Sequence, residues 1–398
     1  MRKRAYALGR KMVWPSVGAR YWKLFSQPRR PAKAVFRTAV AEQTGSVVDL
    51  PDLRLDHLVR LTDEVGLIQH AHFIVPNRSH GYCTDDNARA LELMIKCYRN
   101  KNDKEVERLL NIYLGFVCHA QRPDGSFHNF VSFDRRFAEP DVPGDALPRA
   151  IIGLGALLAD PPTPAYLPFV KDRFDRAVNC LPVASLRGRA YSIIGLNYYL
   201  RSFGEADDMR KLLKRNAELL ISAYQHHCRR DWEWFEDQVI YDGASIPHAL
   251  FVASETLENP PYPDIAAQSC EFLLRHIYNG HHFSFVGNDG WFVCGGQKAR
   301  FDQQPIEAAS TVLMLRAAHQ ATGRVEYLTL MRKAFDWFLG DNDLQIPVYD
   351  LVTGGCGDGL HKDGVSANQG AESLLSFLRA LICVRDSYIS RRSETASK

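Results

Sequence analysis

No stretch of this chain approaches the roughly 20 consecutive apolar residues that a membrane-spanning helix needs, although 46% of its 398 residues are hydrophobic. That share is ample for a large core and too high for a disordered chain. Closely spaced cysteines are missing as well. The nine cysteines (Cys83, Cys97, Cys118, Cys180, Cys228, Cys270, Cys294, Cys356 and Cys383) form no CxxC pair, so zinc-ligand spacing is absent. An odd number in a large chain suits a reducing compartment. Met1–Arg20 also lacks the apolar core of a secretory signal, and the expectation is a cytoplasmic protein. Acidic residues are missing from one region: residues 1–40 hold eleven Lys or Arg and no Asp or Glu, leaving 38 basic against 46 acidic residues in the rest. An acidic body argues against nucleic acid as a partner. No GxGxxG, P-loop, GxSxG or HExxH pattern occurs, and neither a cofactor nor a metal is expected.

What is present is helical periodicity. Residues 1–25 give a broken apolar stripe on a basic arm, and 26–50 are Pro-rich, basic and small, which reads as a linker. From Pro51 the spacing predicts twelve helices: one around Leu53–Leu61, a second over 84–97, a third around Val106–Val117, then 145–158, 164–180, 187–202, 206–227, 244–257, 262–277, 305–320, 324–340 and 369–385. They alternate in kind. Ala146–Leu158, Arg189–Leu200, Ala244–Ala253, Ile306–Ala318 and Gly370–Leu381 are apolar on most faces, which marks buried helices. Asp207–His227 and Arg324–Leu339 are amphipathic, with charges on the solvated side. Inner and outer helices alternating six times predict an all-α (α/α)6 toroid over residues 51–390, with 391–398 as a disordered tail. An open solenoid of helical hairpins has a similar period, but a plain scaffold does not need long, acidic, aromatic loops before its inner helices.

Those loops hold the candidate site. In a toroid all six inner helices would open at one end. The junctions bring Asp85 and Asp86, Asp145, Arg187, Asp242, Asp302, Gln303, Gln304, Glu307, Asn368, Gln369 and Glu372 toward one basin. Carboxylates, amides and an arginine are what a polyhydroxyl ligand requires. Phe127, Phe130, Trp232, Trp234, Phe235, Trp291 and Phe292 lie in the same loops, either to stack on sugar faces or to plug the toroid. Asp85 and Asp86, between Gly81 and an apolar run, read either as an acid/base element or as a helix N-cap with one spare aspartate.

Four phrases, GYCTDDNARAL, DWEWFEDQVIYDGASIPHAL, FDQQPIEAAST and NQGAESLLSFLRAL, together resemble the six-hairpin glycosidase-like domain that is fused to, or encoded beside, bacterial group 1 glycosyltransferases. The resemblance covers about residues 50–385. It implies the toroid and an oligosaccharide or glycan ligand, but supplies no catalytic pair. Trp14, Val17, Ala19 and Tyr21 resemble the W-x-x-V-A-x-x-Y segment in the C-terminal tail of such a glycosyltransferase, which implies a glycosyltransferase domain or neighbouring protein as partner.

Hydrolysis of a glycosidic bond commonly uses two carboxyl groups. Asp85 or Asp86 is the first candidate. Glu236 or Asp237 is the second, because Trp234 and Phe235 beside them could desolvate a carboxyl and raise its pKa. Asp145, Arg187, Trp234, Asp242, His248, Trp291, Asp302, Gln303, Gln304, Asn368, Gln369 and Glu372 are the candidate substrate contacts. Two other readings stay open. One is a non-catalytic glycan-binding module. The other is a sugar epimerase or isomerase working through His70, His72, His80, His128 or His248.

Overall fold

The computed structural model describes residues 50–101, 103–138, 144–204, 206–257 and 262–396. The arm and linker expected over 1–25 and 26–50 lie outside the described residues, apart from Leu50. A compact unit begins at Asp52. It contains α1 (Asp56–Leu61), α2 (Thr84–Lys101), α3 (Lys104–Ala120), α4 (Ala146–Ala159), α5 (Leu167–Val178), α6 (Leu186–Phe203), α7 (Asp207–His227), α8 (Ser245–Thr256), α9 (Tyr262–Ile277), α10 (Pro305–Thr322), α11 (Glu326–Asp336) and α12 (Ala371–Ala396). The even-numbered helices α2, α4, α6, α8, α10 and α12 pack in sequence, and α12 packs back on α2 to close the ring. The odd-numbered helices lie against them, α1 beside α12. This is the (α/α)6 toroid.

The sequence of α4, ALPRAIIGLGALLA, shows why the inner ring is tight. Twelve of its fourteen residues are buried. A Cβ on Gly153 would come within 2.9 Å of the Ala88 carbonyl oxygen on α2, and one on Gly155 within 2.5 Å of the Gly195 carbonyl oxygen on α6. Glycine lets α4 approach both neighbours at van der Waals distance. The outer helices bury one face only: α3 buries Val106, Leu109, Leu110, Tyr113, Leu114, Phe116 and Val117 and caps its first turn with the Asp103 side chain. Helix α12 departs from expectation. It continues through Ala396, past the expected end at 385 and into the residues assigned to a tail. No Gly or Pro interrupts VRDSYISRRSETA, so nothing in the sequence stops the helix.

Two-residue ribbons stitch the loops that enter the inner helices. β3 (Tyr82–Cys83), just before α2, pairs with β4 (Phe130–Val131) in the loop before α4. β5 (Gln238–Val239), before α8, pairs with β6 (Phe292–Val293), before α10. The hairpins β1–β2 (Ala71–His72 with Val75–Pro76), β7–β8 (Tyr349–Asp350 with Gly355–Cys356) and β9–β10 (Leu360–His361 with Gly364–Val365) complete the rim.

Candidate active site at the mouths of the inner helices

Side chains from all six inner-helix mouths meet. On α2, Arg89 lies one turn below Asp85 and Asp86. Its Nη2 donates to Asp85 Oδ2 at 2.9 Å and its Nη1 donates to Glu372 Oε2 of α12 at 2.7 Å. The same Nη1 is 3.6 Å from Asp86 Oδ1. On α4, Arg149 Nε is 3.2 Å from Asp85 Oδ1, and Nη2 donates to Asp242 Oδ2 at 2.9 Å. The Tyr191 hydroxyl of α6 donates to the same Asp242 oxygen, and the Asp242 backbone N–H donates to Glu307 Oε1 of α10 at 2.6 Å. Arg89, Arg149, Asp86, Asp242 and Glu307 are each at most 7% exposed.

Among these groups the carboxyls outnumber the guanidiniums, and burial together with that excess sets where protons sit. Burial pushes the Asp86 carboxyl up to about 8; Arg89 pulls the other way, and the charges of Asp85 and Glu372 add to the rise. Burial, with Asp242 close by, also pushes Glu307 up to about 8. Asp242 goes the other way: burial opposes its charge, but Arg149 and Tyr191 hold it below the usual carboxylate range. Asp86 combines a retained proton with slight exposure, and its only close charged partner among the described residues is the 3.6 Å approach of Arg89. A carboxyl of this kind can donate a proton.

The remaining predicted residues divide into those at the rim and those used by the fold. Asp85 and Asp86 lie in the first turn of α2, whose first residue, Thr84, donates its hydroxyl to the His128 carbonyl at 2.6 Å. Asp145 accepts from the Tyr241 hydroxyl, and burial raises its pKa. Arg187 clasps Glu236 through two hydrogen bonds of 3.1 and 2.8 Å and donates to the Tyr241 carbonyl at 2.6 Å. Glu236 is therefore held in an ion pair with Arg187, and its side chain is 26% exposed. Asp237 is solvent-exposed and paired with Arg229 at 2.7 Å, outside the cluster. Trp234 is 0% exposed, packed on Phe235 and Phe272, so it has no face to offer a sugar. Gln303 is equally enclosed, accepting from Phe285 N–H and Trp337 Nε1 at 3.0 Å each. Gln369 is buried and accepts from the Thr353 hydroxyl at 2.9 Å.

Rim positions remain. Trp291 is half-buried, Asp302 bonds His361, Gln304 precedes α10 with no side-chain cap bond, and Asn368 is exposed and accepts from the Phe73 N–H at 3.0 Å. His248 lies half-buried along the inner ring. Burial and the nearby Arg379 press its pKa down to about 4.

The residues not anticipated are Arg89, Arg149, Tyr191 and Tyr241. Two left a signal. Arg89 is spaced i+4 from Asp85 and i+3 from Asp86, and Arg149 is the one charge in an otherwise apolar α4. A buried arginine needs carboxylate partners. Among the described residues no group of three His, Cys, Asp or Glu is arranged to hold a metal ion, and no helix is long and apolar enough to cross a membrane.

No family model matches the chain, and no curated protein matches it in sequence. Solved structures do share its fold. A cellobiose 2-epimerase from Bacillus thermoamylovorans superimposes with a TM-score of 0.64 at 10% identity, covering 85% of this chain and 96% of that one. A GH76 α-mannanase from Bacteroides thetaiotaomicron gives 0.60 at 10% identity, over 84% of this chain and 95% of that one. An α-1,6-mannanase from a Salegentibacter species gives 0.55 at 11% identity, over 83% of this chain and 95% of that one. The last is described as an inactive variant with two consecutive aspartates changed to alanine, in complex with α-1,6-mannotetraose.

Proposed function

We propose that this chain is a carbohydrate-active enzyme that cleaves a glycosidic bond, with Asp86 as the proton donor. The observation that carries this reading is the Asp86 carboxyl, held at about 8 beside Asp85 and across Arg89 from Glu372. Asp86 gives its proton to the glycosidic oxygen as the C1–O bond breaks. Water adds to C1 in place of the leaving oxygen and passes its proton to the carboxylate side of the cluster, which also meets the developing positive charge. Glu372, whose side chain is 45% exposed, is the member able to reach a water or the sugar. Asp85, tied to both Arg89 and Arg149, keeps the two guanidiniums in register. Asp145, Trp291, Asp302 and Gln304 are the rim residues we assign to substrate.

The Salegentibacter mannanase, inactive when two consecutive aspartates are replaced, supports a role for the consecutive pair Asp85–Asp86 and suggests an α-linked mannose oligosaccharide as the substrate class. Trp14–Tyr21 is the basis for a working link to a glycosyltransferase. The test is reducing-end release from α-1,6-mannotetraose and yeast mannan by wild type and Asp86→Asn. Release by wild type and none by the variant is expected. An inert wild type, or an active variant, overturns the proposal.

A further inference from the structure

The hairpin β1–β2 is a strap between the entries of α2 and α12. At its base, Gln69 N–H donates to the Gly81 carbonyl just before α2 at 3.1 Å, and the Gln69 carbonyl accepts from Ala371 N–H, the first residue of α12, at 2.8 Å. At its tip, Phe73 is bonded on both sides of its backbone to the entry of α12: its N–H donates to Asn368 Oδ1 and its carbonyl accepts from Gln369 N–H, each at 3.0 Å. The strap therefore joins the helix that carries Asp86 to the helix that carries Glu372.

The residue at the tip is chemically odd. His72 pairs with Val75, so Phe73 and Ile74 form a two-residue turn. Phe73 has φ of +55°, and Ile74 is not among the positive-φ residues. A turn of that form normally has glycine at its first central position, because a Cβ there crowds the backbone. Here a phenylalanine occupies it, with 66% of its surface exposed. Folding gains nothing evident from this choice: among the described residues no ring contact to Phe73 exists, and glycine would relieve the strain. Strained backbone that the surroundings force in this way collects at ligand sites. Trp291, at φ +56° in the loop before α10, is held in the same fashion. Its N–H donates to the Gly287 carbonyl at 3.1 Å and its carbonyl accepts from Ala299 N–H at 2.8 Å.

We propose that Phe73 is a specificity-determining residue, a stacking platform on the α12–α2 side of the mouth that holds a sugar ring beyond the one being cleaved. This rests on the glycosidic reading above and adds to it that the enzyme selects an oligosaccharide over a disaccharide. An aromatic face suits the C–H surface of a pyranose, and the strap presents it without ordering a flexible loop.

The experiment compares wild type, Phe73→Ala and Phe73→Gly on α-1,6-mannotetraose and α-1,6-mannobiose, with KM and kcat measured separately and melting followed for each protein. The expected result is a KM for the tetraose raised about tenfold in both variants, as loss of a ring contact of about 1.4 kcal/mol gives. Mannobiose kinetics should be unchanged, and Phe73→Gly should melt at or above wild type. An unchanged tetraose KM in both variants overturns this inference and leaves the glycosidic reading standing. Equal losses on both sugars also overturn it, since they indicate damage to the mouth rather than a distal contact. A wild type inert toward both sugars overturns the glycosidic reading, and this inference with it.

Discussion

The inner ring carries two buried ionic clusters, and they are mirror images in charge. The cluster at the mouth sets Asp85, Asp86, Asp242, Glu307 and Glu372 against Arg89 and Arg149. Two turns further along α2, Glu92 accepts from Lys96 at 2.7 Å and from the Tyr198 hydroxyl at 2.8 Å, and lies 2.8 Å from Arg379. At the mouth burial, reinforced by an excess of negative charge, leaves protons on Asp86 and Glu307. Positive charge is in excess in the deeper cluster. There burial opposes the charge of Glu92, yet Arg379 and Lys96 hold it far below its ordinary value, and His248 stays neutral. The same low-dielectric physics leaves a protonated carboxyl in one place and a settled ion pair in the other. The lesson is that burial alone does not mark chemistry; unmatched burial does.

Two substitutions should separate the clusters most sharply. Asp86→Asn should lower kcat by roughly 10²–10⁴-fold, the contribution of a general acid. At pH 7 it should raise stability, because the folded carboxyl keeps a proton that the unfolded chain has already lost, and asparagine carries no such penalty. Glu92→Gln should do the reverse. It leaves Arg379 and Lys96, both partly buried, without their carboxylate, which costs about 3 kcal/mol in a urea titration, while turnover per folded molecule is retained. If Glu92→Gln abolished turnover in a fully folded protein, the division into reactive and structural clusters would fall.

How much of this was legible beforehand depends on sequence distance. The toroid was, because inner helices such as α4 are apolar on most faces and outer ones such as α7 are not. Asp85 with Arg89 was within reach, being one turn apart. Arg149 with Asp242 was not, since 93 residues separate them, and Arg89 with Glu372 are 283 apart. Glu236 shows the converse. Its aromatic neighbours Trp234 and Phe235 suggested a desolvated acid, but Arg187, 49 residues earlier, supplies a counter-charge that no local pattern reveals. Trp234 shares loops with rim residues and yet faces inward, because a loop has no period from which to read orientation.

The mouth should also be visible in pH dependence. Folded Asp86 holds its proton to about pH 8, whereas an ordinary aspartate loses it near 3.8. Between those values the folded state binds a proton that the unfolded chain does not. Stability therefore declines as pH rises toward 8, and activity falls beyond it as the acid ionises. Asp86→Asn should flatten the fall in melting temperature between pH 5 and pH 8, leaving the part due to Glu307. A smaller effect should follow from Glu372→Gln. Removing one of the charges that raise the Asp86 pKa should lower it, which a carboxyl ¹³C titration of the variant can follow. A titration unmoved or shifted upward would break the account of why Asp86 keeps its proton.

The smallest expected effect is at His248. With its pKa pressed to about 4, it is neutral through the working range, and His248→Gln should change turnover by no more than about twofold and stability at pH 7 by under about 1 kcal/mol. The variant should differ only in acid. Unfolded histidine gains a proton near 6.5, and the folded one resists until about 4. Wild type thus loses stability as pH falls through that window, and the glutamine variant does not. The same variant bears on the histidine-based alternative of an epimerase or isomerase. That chemistry requires solvent deuterium to enter free sugar and His248→Gln to abolish the exchange, so exchange at the wild-type rate in the variant, or none in either protein, removes His248 from the chemistry and leaves it as a neutral spacer above a cationic cluster.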